Sequence, residues 1–122
     1  MGGWYGFDCD GTLAKNDGPE YERGEIGKPV PRMMKLLRDH LDKGDEVRIV
    51  TARADTQEGI DLVKDWLEDN DLPPLEVTTE KDHKMIRLYD DRAVGVVPNE
   101  GILLTEPKKK SSKILKRRLT TV

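Results

Sequence analysis

The sequence predicts an α/β fold built on a mainly parallel, five-stranded sheet. Three observations carry that expectation. Short apolar runs suited to buried strands alternate with segments whose apolar residues recur at helical spacing. Several of those runs end on Asp or Thr, and open parallel sheets place their ligands beyond the carboxyl ends of strands. The chain has 122 residues, a length that suits one domain. Hydrophobic residues make up 35% and charged residues 37%, and mean hydropathy is −0.70. The expected core is therefore thin and the surface heavily charged.

The elements follow in order. Trp4-Tyr5-Gly6-Phe7 is short and aromatic, runs into Asp8, and reads as a buried strand. Residues 14–31 hold three glycines and three prolines among many charges and read as a long loop. Pro31 suits the first turn of a helix whose face is Met34, Leu37 and Leu41, with Gly44 as its stop. Val47, Ile49 and Val50 give a second strand ending at Thr51. Asp55 with Glu58 resembles a capping box and opens a second helix with Ile60, Val63, Trp66 and Leu67 on its apolar face. Pro73-Pro74 forbids its continuation. Leu75–Thr79, Met85–Tyr89 and Ala93–Val97 are the third, fourth and fifth strands. About six residues join the third strand to the fourth, whereas a parallel crossover normally needs a dozen or more. Either the helix there shrinks to a turn or the strand limits differ.

Charge divides the chain unevenly. Residues 107–122 carry seven basic side chains and no acidic one, while residues 1–106 carry a net −10. The expected organisation is a catalytic domain over 1–106 and a basic tail over 107–122. An acidic body argues against a broad nucleic-acid surface and suits carboxylates gathered around a divalent metal. No apolar run approaches the ~18 residues of a membrane span, and no signal peptide opens the chain. Cys9 is the one cysteine, which excludes an internal disulfide framework and a cysteine-built zinc site. A cytoplasmic setting and no membrane partner are expected.

Asp8-Cys9-Asp10-Gly11-Thr12 follows the first strand. Residues two apart in an extended chain share a side, so Asp8 and Asp10 can converge while Cys9 points elsewhere. Asp90-Asp91 closes the fourth strand. Four carboxylates meeting at one sheet edge repel one another, and a hard cation with oxygen ligands, Mg²⁺ beside phosphate, relieves that repulsion. A carboxylate can attack phosphorus to form an aspartyl-phosphate, and a second can protonate the leaving oxygen and then activate water. Thr51 can donate to a phosphoryl group and a lysine can neutralise its charge.

Asp8-Cys9-Asp10-Gly11-Thr12, Ile49-Val50-Thr51-Ala52-Arg53, Lys81 and Tyr89-Asp90-Asp91-Arg92 resemble, in order, the four motifs of the haloacid dehalogenase superfamily. The resemblance spans residues 4 to 97. It implies a Rossmann-like parallel sheet and Mg²⁺-dependent phosphate hydrolysis. By that resemblance Asp8 is nucleophile and metal ligand. Asp10 is general acid/base and lends its backbone carbonyl to the metal. Thr51 and Lys81 hold the phosphate. Asp91 is a direct metal ligand, and Asp90 acts directly or through water. Gly11, Thr12, Ala52 and Arg53 complete the substrate-binding set. Lys84, three residues on, competes with Lys81 for the lysine position; Lys81 is preferred because it lies closer to the third strand. The insertions that carry cap domains in this superfamily are missing from 14–46 and 54–80, so the chain resembles a capless member. Thr51-Ala52-Arg53 and Tyr89-Asp90-Asp91-Arg92 also resemble the phosphatase half of phage and animal polynucleotide kinase–phosphatases, in which an arginine at the position of Arg53 contacts phosphate. Small phage-encoded members are similar over the whole length.

The expected activity is phosphomonoester hydrolysis, with a nucleotide or a nucleic-acid 3′-phosphate end as the sharper substrate, by a monomer or small homo-oligomer. The alternative is a catalytically weak, metal-dependent phosphate-binding or regulatory module on the same fold. A cysteine-phosphatase reading of Cys9 fails because Lys15 stands where that chemistry needs arginine. His40, on a helix, and His83, in a charged loop, are expected at the surface, without metal-ligand spacing.

Overall fold

The computed structural model describes residues 2–104. Within the unit Met1–Asp91, four strands form one sheet: β1 (Trp4–Phe7), β2 (Glu46–Val50), β3 (Glu76–Thr78) and β4 (Met85–Tyr89). Their order is β3-β2-β1-β4, and every pairing is parallel. Register places Tyr5 beside Val47, Phe7 beside Ile49 and Ile49 beside Val77. These residues therefore share one face. Two helices cover that face, α2 (Pro31–Asp42) and α3 (Gln57–Asp69); the short helix α1 (Pro19–Glu22) lies in the preceding loop. Met34 and Leu37 of α2 and Val63, Trp66 and Leu67 of α3 join Phe7, Val47, Ile49 and Val77 in one buried cluster. Each fully buried large side chain there, Phe7, Leu37, Ile49 or Leu67, stabilises the fold by roughly 1.5–3 kcal/mol relative to exposure.

Purely parallel sheets are normally covered on both faces. Here no helix of the described residues covers the second face, where Val50 and Leu88 stay half-buried and, of the large side chains, only Trp4 is fully covered. Trp4 is buried, and the Arg48 guanidinium sits 4.3 Å above its ring centre. The Trp4 indole N–H donates to Asp82 Oδ1 at 2.8 Å, and Arg48 Nη1 reaches Asp82 Oδ2 at 3.4 Å. Asp82 belongs to the connection between β3 and β4, so that connection crosses this face.

The crossing also resolves the short-connection problem. β4 pairs with β1, not with β3. The chain leaves β3 at one edge of the sheet and enters β4 at the other. Three strand spacings of ~4.8 Å amount to about 14 Å across the sheet, the return of about four residues along the strands adds about 13 Å, and the diagonal of about 19 Å is within the roughly 20 Å that six extended residues reach. An extended segment suffices, and no crossover helix is needed.

Several expectations need correction. Among the described residues the sheet has four strands, not five. Ala93–Val97 does not join it. In the separate unit beginning at Arg92, Val96 makes an isolated antiparallel bridge to Leu103. The cause is local: the chain turns back through Pro98-Asn99-Glu100-Gly101, with Asn99 at φ 66°, and Val97 N–H donates to Ile102 O at 2.8 Å. The run satisfies its backbone within its own hairpin. The cap of α3 is Thr56, whose side chain accepts from Gly59 N–H at 3.0 Å; Asp55 instead ends a 3-10 turn over Ala52–Asp55. His40 is buried. Its Nδ1 lies 2.8 Å from Asp45 Oδ2 and its Nε2 3.1 Å from Tyr89 Oη, with the Tyr5 ring centre 4.1 Å away. No helix of the described residues is long and apolar enough to cross a membrane. The basic tail over 107–122 lies outside the described residues.

Candidate active site

The site gathers at the carboxyl ends of β1, β2 and β4. β1 is central, so Asp8 emerges between the residues that follow its two neighbours. Its N–H donates to Tyr89 O at 2.9 Å, extending the β1–β4 ladder by one bond. The next residues turn sharply: the Cys9 carbonyl accepts from Thr12, Leu13 and Ala14 N–H at 3.2, 3.0 and 3.0 Å. Cys9 itself points into the core, fully buried, and burial pushes its thiol up to about 12. It is chemically inert there, as nucleophilic cysteines are thiolates.

One carboxylate oxygen from each of Asp8, Asp90 and Asp91 lies within 4.8 Å of the others. Burial raises the Asp8 carboxyl from the ordinary 3.8 to about 7, reinforced by a hydrogen bond with Asp91 and by the charge of Asp90. These acids share one small volume and cannot all ionise cheaply. The group could hold a cation, and its donors, three carboxylates, are of the hard-oxygen type that Mg²⁺ prefers.

Gly11 and Thr12 serve Asp91. Gly11 has φ +91°, and a Cβ there would stand 2.5–2.9 Å from the Asp91 carboxylate atoms. Only glycine permits both the backbone conformation and that approach. The buried Thr12 hydroxyl donates to Asp91 Oδ1 at 3.1 Å and accepts from Asp91 N–H at 3.0 Å. Gly11 and Thr12 together fix the place and direction of the Asp91 carboxylate.

Asp10 is not one of the three grouped acids; its carboxylate is bound by Arg53. Its Oδ2 accepts from Arg53 Nε at 2.6 Å and its Oδ1 from Arg53 Nη2 at 3.1 Å. That hydrogen bond raises the Arg53 guanidinium further above its ordinary value. Thr51 follows β2, is buried, and accepts from Arg53 N–H at 3.2 Å, while its own N–H donates to Thr78 O at 2.9 Å. Ala52 is the exposed first residue of the 3-10 turn.

No ion pair joins either candidate lysine to the carboxylates among the described residues. Lys84 lies at the far end of the sheet, where its carbonyl accepts from Trp4 N–H at 3.1 Å. Lys81 is exposed, and its neighbour Asp82 is already bonded to Trp4 at the amino end of β1. The sequence reading missed two features: the Arg53–Asp10 pair and the service of Thr12 to Asp91. Partners 43 and 79 residues apart leave no local signal.

Comparison with protein-family models, with characterised proteins and with solved structures finds no match to the chain.

Proposed function

We propose that the chain is a Mg²⁺-dependent phosphomonoester hydrolase working through an aspartyl-phosphate, on a capless Rossmann-like domain of the haloacid dehalogenase type. The observation that carries the reading is the convergence of Asp8, Asp90 and Asp91 beyond adjacent parallel strands, with Asp10 and Thr51 beside them. Asp8, Asp90 and Asp91 would hold the ion, which supplies charge neutralisation for Asp8 and for the phosphoryl oxygens. An Asp8 oxygen bonds to phosphorus as the ester P–O bond breaks. Asp10 gives the leaving oxygen its proton. Asp10 then takes a proton from a water whose oxygen bonds to phosphorus while the Asp8–phosphoryl bond breaks, releasing orthophosphate and restoring Asp8. Thr51 donates to the phosphoryl group.

The substrate class is a phosphomonoester. A nucleotide or nucleic-acid 3′-phosphate end is the sharper reading, supported by the motif resemblance and by the seven basic residues of 107–122. The reading is tested with p-nitrophenyl phosphate: hydrolysis with Mg²⁺, abolished by EDTA and by Asp8→Asn. Asp8→Asn that turns over normally, free of wild-type enzyme, overturns the covalent route. The second reading, a phosphate-binding module with little turnover, is favoured by one observation: Lys81 makes no ion pair with the carboxylates. Under it, beryllium fluoride and Mg²⁺ bind while hydrolysis stays at background.

A further inference from the structure

Arg53 is held from every side. Its backbone N–H is bonded to Thr51 Oγ1. A Cβ at Gly59 would collide with its carbonyl, so the start of α3 closes tightly against the turn. Its side chain forks onto both oxygens of Asp10. On the far side, Nη1 donates to Gly24 O and Nη2 to Glu25 O, each at 3.1 Å. Those carbonyls belong to the loop that follows α1. Four of the five N–H donors of the guanidinium are thereby used. The two side chains are shielded alike, at 18% and 19% relative exposure, so water competes weakly for the pair.

A planar fork bound at both ends fixes the plane and the direction of the carboxylate it grips. To serve the phosphate as its main ligand, this guanidinium would have to release a carboxylate and two carbonyls. We infer that Arg53 is the positioning residue of Asp10: braced by the Gly24 and Glu25 carbonyls, it aims the Asp10 carboxylate at the reacting oxygen instead of acting chiefly as a ligand of the phosphate. The inference rests on the phosphatase reading above and departs from the substrate-binding role that the motif resemblance implies for Arg53. Its consequence lies in which kinetic parameter moves. A misaimed general acid/base slows the chemical steps and leaves ground-state binding intact; a lost phosphate ligand weakens binding.

The experiment is a double-mutant cycle on Mg²⁺-dependent aryl phosphate hydrolysis, with wild type, Asp10→Asn, Arg53→Gln and Asp10→Asn/Arg53→Gln. Arg53→Gln is expected to lower kcat by about 100-fold, the cost of misplacing a reacting group by about 1 Å, with KM within about twofold. The double variant is expected to be no slower than Asp10→Asn. Arg53→Lys keeps the charge but cannot grip both oxygens, and is expected to recover little of kcat; it also stands in if Arg53→Gln does not fold by circular dichroism. A rise in KM with kcat unchanged, or losses that multiply in the double variant, overturns the inference while leaving the phosphatase reading in place. Wild type without Mg²⁺-dependent turnover overturns that reading and the inference with it. A readout without turnover is the Arg53 Nε–H resonance of the metal-free protein. It is expected to be protected from exchange in wild type and to lose protection in Asp10→Asn; an unprotected wild-type resonance refutes the braced pair.

Discussion

Asp8→Asn is predicted to stabilise the metal-free protein at neutral pH while removing its activity. The native Asp8 carboxyl titrates at about 7 instead of 3.8, because burial, the bond to Asp91 and the charge of Asp90 all disfavour its ionised form. Between those two values the native state binds a proton that the unfolded chain has lost. Stability from this group is therefore complete below about pH 4 and falls as pH rises through 7. A shift of this size corresponds to roughly 4 kcal/mol at full weight. Asp8 is only half-buried, and screening by solvent brings the expected effect to about 2 kcal/mol. Asparagine is neutral at every pH and does not incur this cost. Urea unfolding in EDTA, wild type against Asp8→Asn, should give equal stabilities near pH 4. By pH 7.5 the variant should be ahead by about 2 kcal/mol, or about 10 °C in Tm for a domain of this size. Taking the difference between the two proteins cancels carboxylates that titrate the opposite way, such as Asp82, held low by the Trp4 indole. Saturating Mg²⁺ should reverse the order at pH 7.5, since the ion binds the native wild type alone. A stability difference independent of pH, or wild type ahead in EDTA at pH 7.5, refutes the argument that these carboxylates repel.

Three further predictions follow from the same geometry. Thr12→Val removes the hydroxyl that brackets Asp91; it should weaken Mg²⁺ binding by about 10–100-fold, read by magnesium titration calorimetry, and an unchanged affinity would sink the orienting role. His40→Phe keeps the stacking on Tyr5 but strands Asp45 and the Tyr89 hydroxyl; the expected loss is about 2–4 kcal/mol in urea unfolding, and a loss below about 0.5 kcal/mol would show that the polar pairing is dispensable. Lys81→Ala should lower turnover more than Lys84→Ala, because Lys84 lies at the amino end of the sheet; the opposite ranking in steady-state assays would exclude Lys81 from the site.

Much of the site was legible because its signal is local. Cys9 turns into the core between Asp8 and Asp10, as alternation predicts, but Asp10 does not join Asp8 in the acidic group, because Arg53, 43 residues on, takes its carboxylate. Asp90-Asp91 could be placed because an apolar strand runs straight into them. Other features depend on partners remote in sequence. His40 reads as a polar helix residue until Tyr89, 49 residues on, meets its ring. The α3 cap was misplaced by one residue because Asp55 and Thr56 both suit the position, and the choice is made by the 3-10 turn that Thr51 and Arg53 nucleate. The fifth strand failed for a different reason. Its apolar pattern suits a strand, but Pro98-Asn99-Glu100-Gly101 directs it into a local hairpin.

The β1–β4 pairing has a consequence for the order in which the protein matures. Asp8 and Asp10 are made before the partners of Asp8, which stand more than 80 residues later, directly after the fourth strand of the described residues. A nascent chain that has reached Thr79 already owns β1, β2, β3 and both large helices, yet it holds only one of the three clustered acids. Tyr89 is also absent then, so His40 lacks its hydroxyl partner and one ring of its aromatic surroundings. Closure of β4 against β1 thus completes the acidic group and the buried histidine pairing in a single late event. The acidic group is in this sense a marker that β4 has paired: a chain stopped before β4 would carry the first aspartate motif without the two acids that surround it.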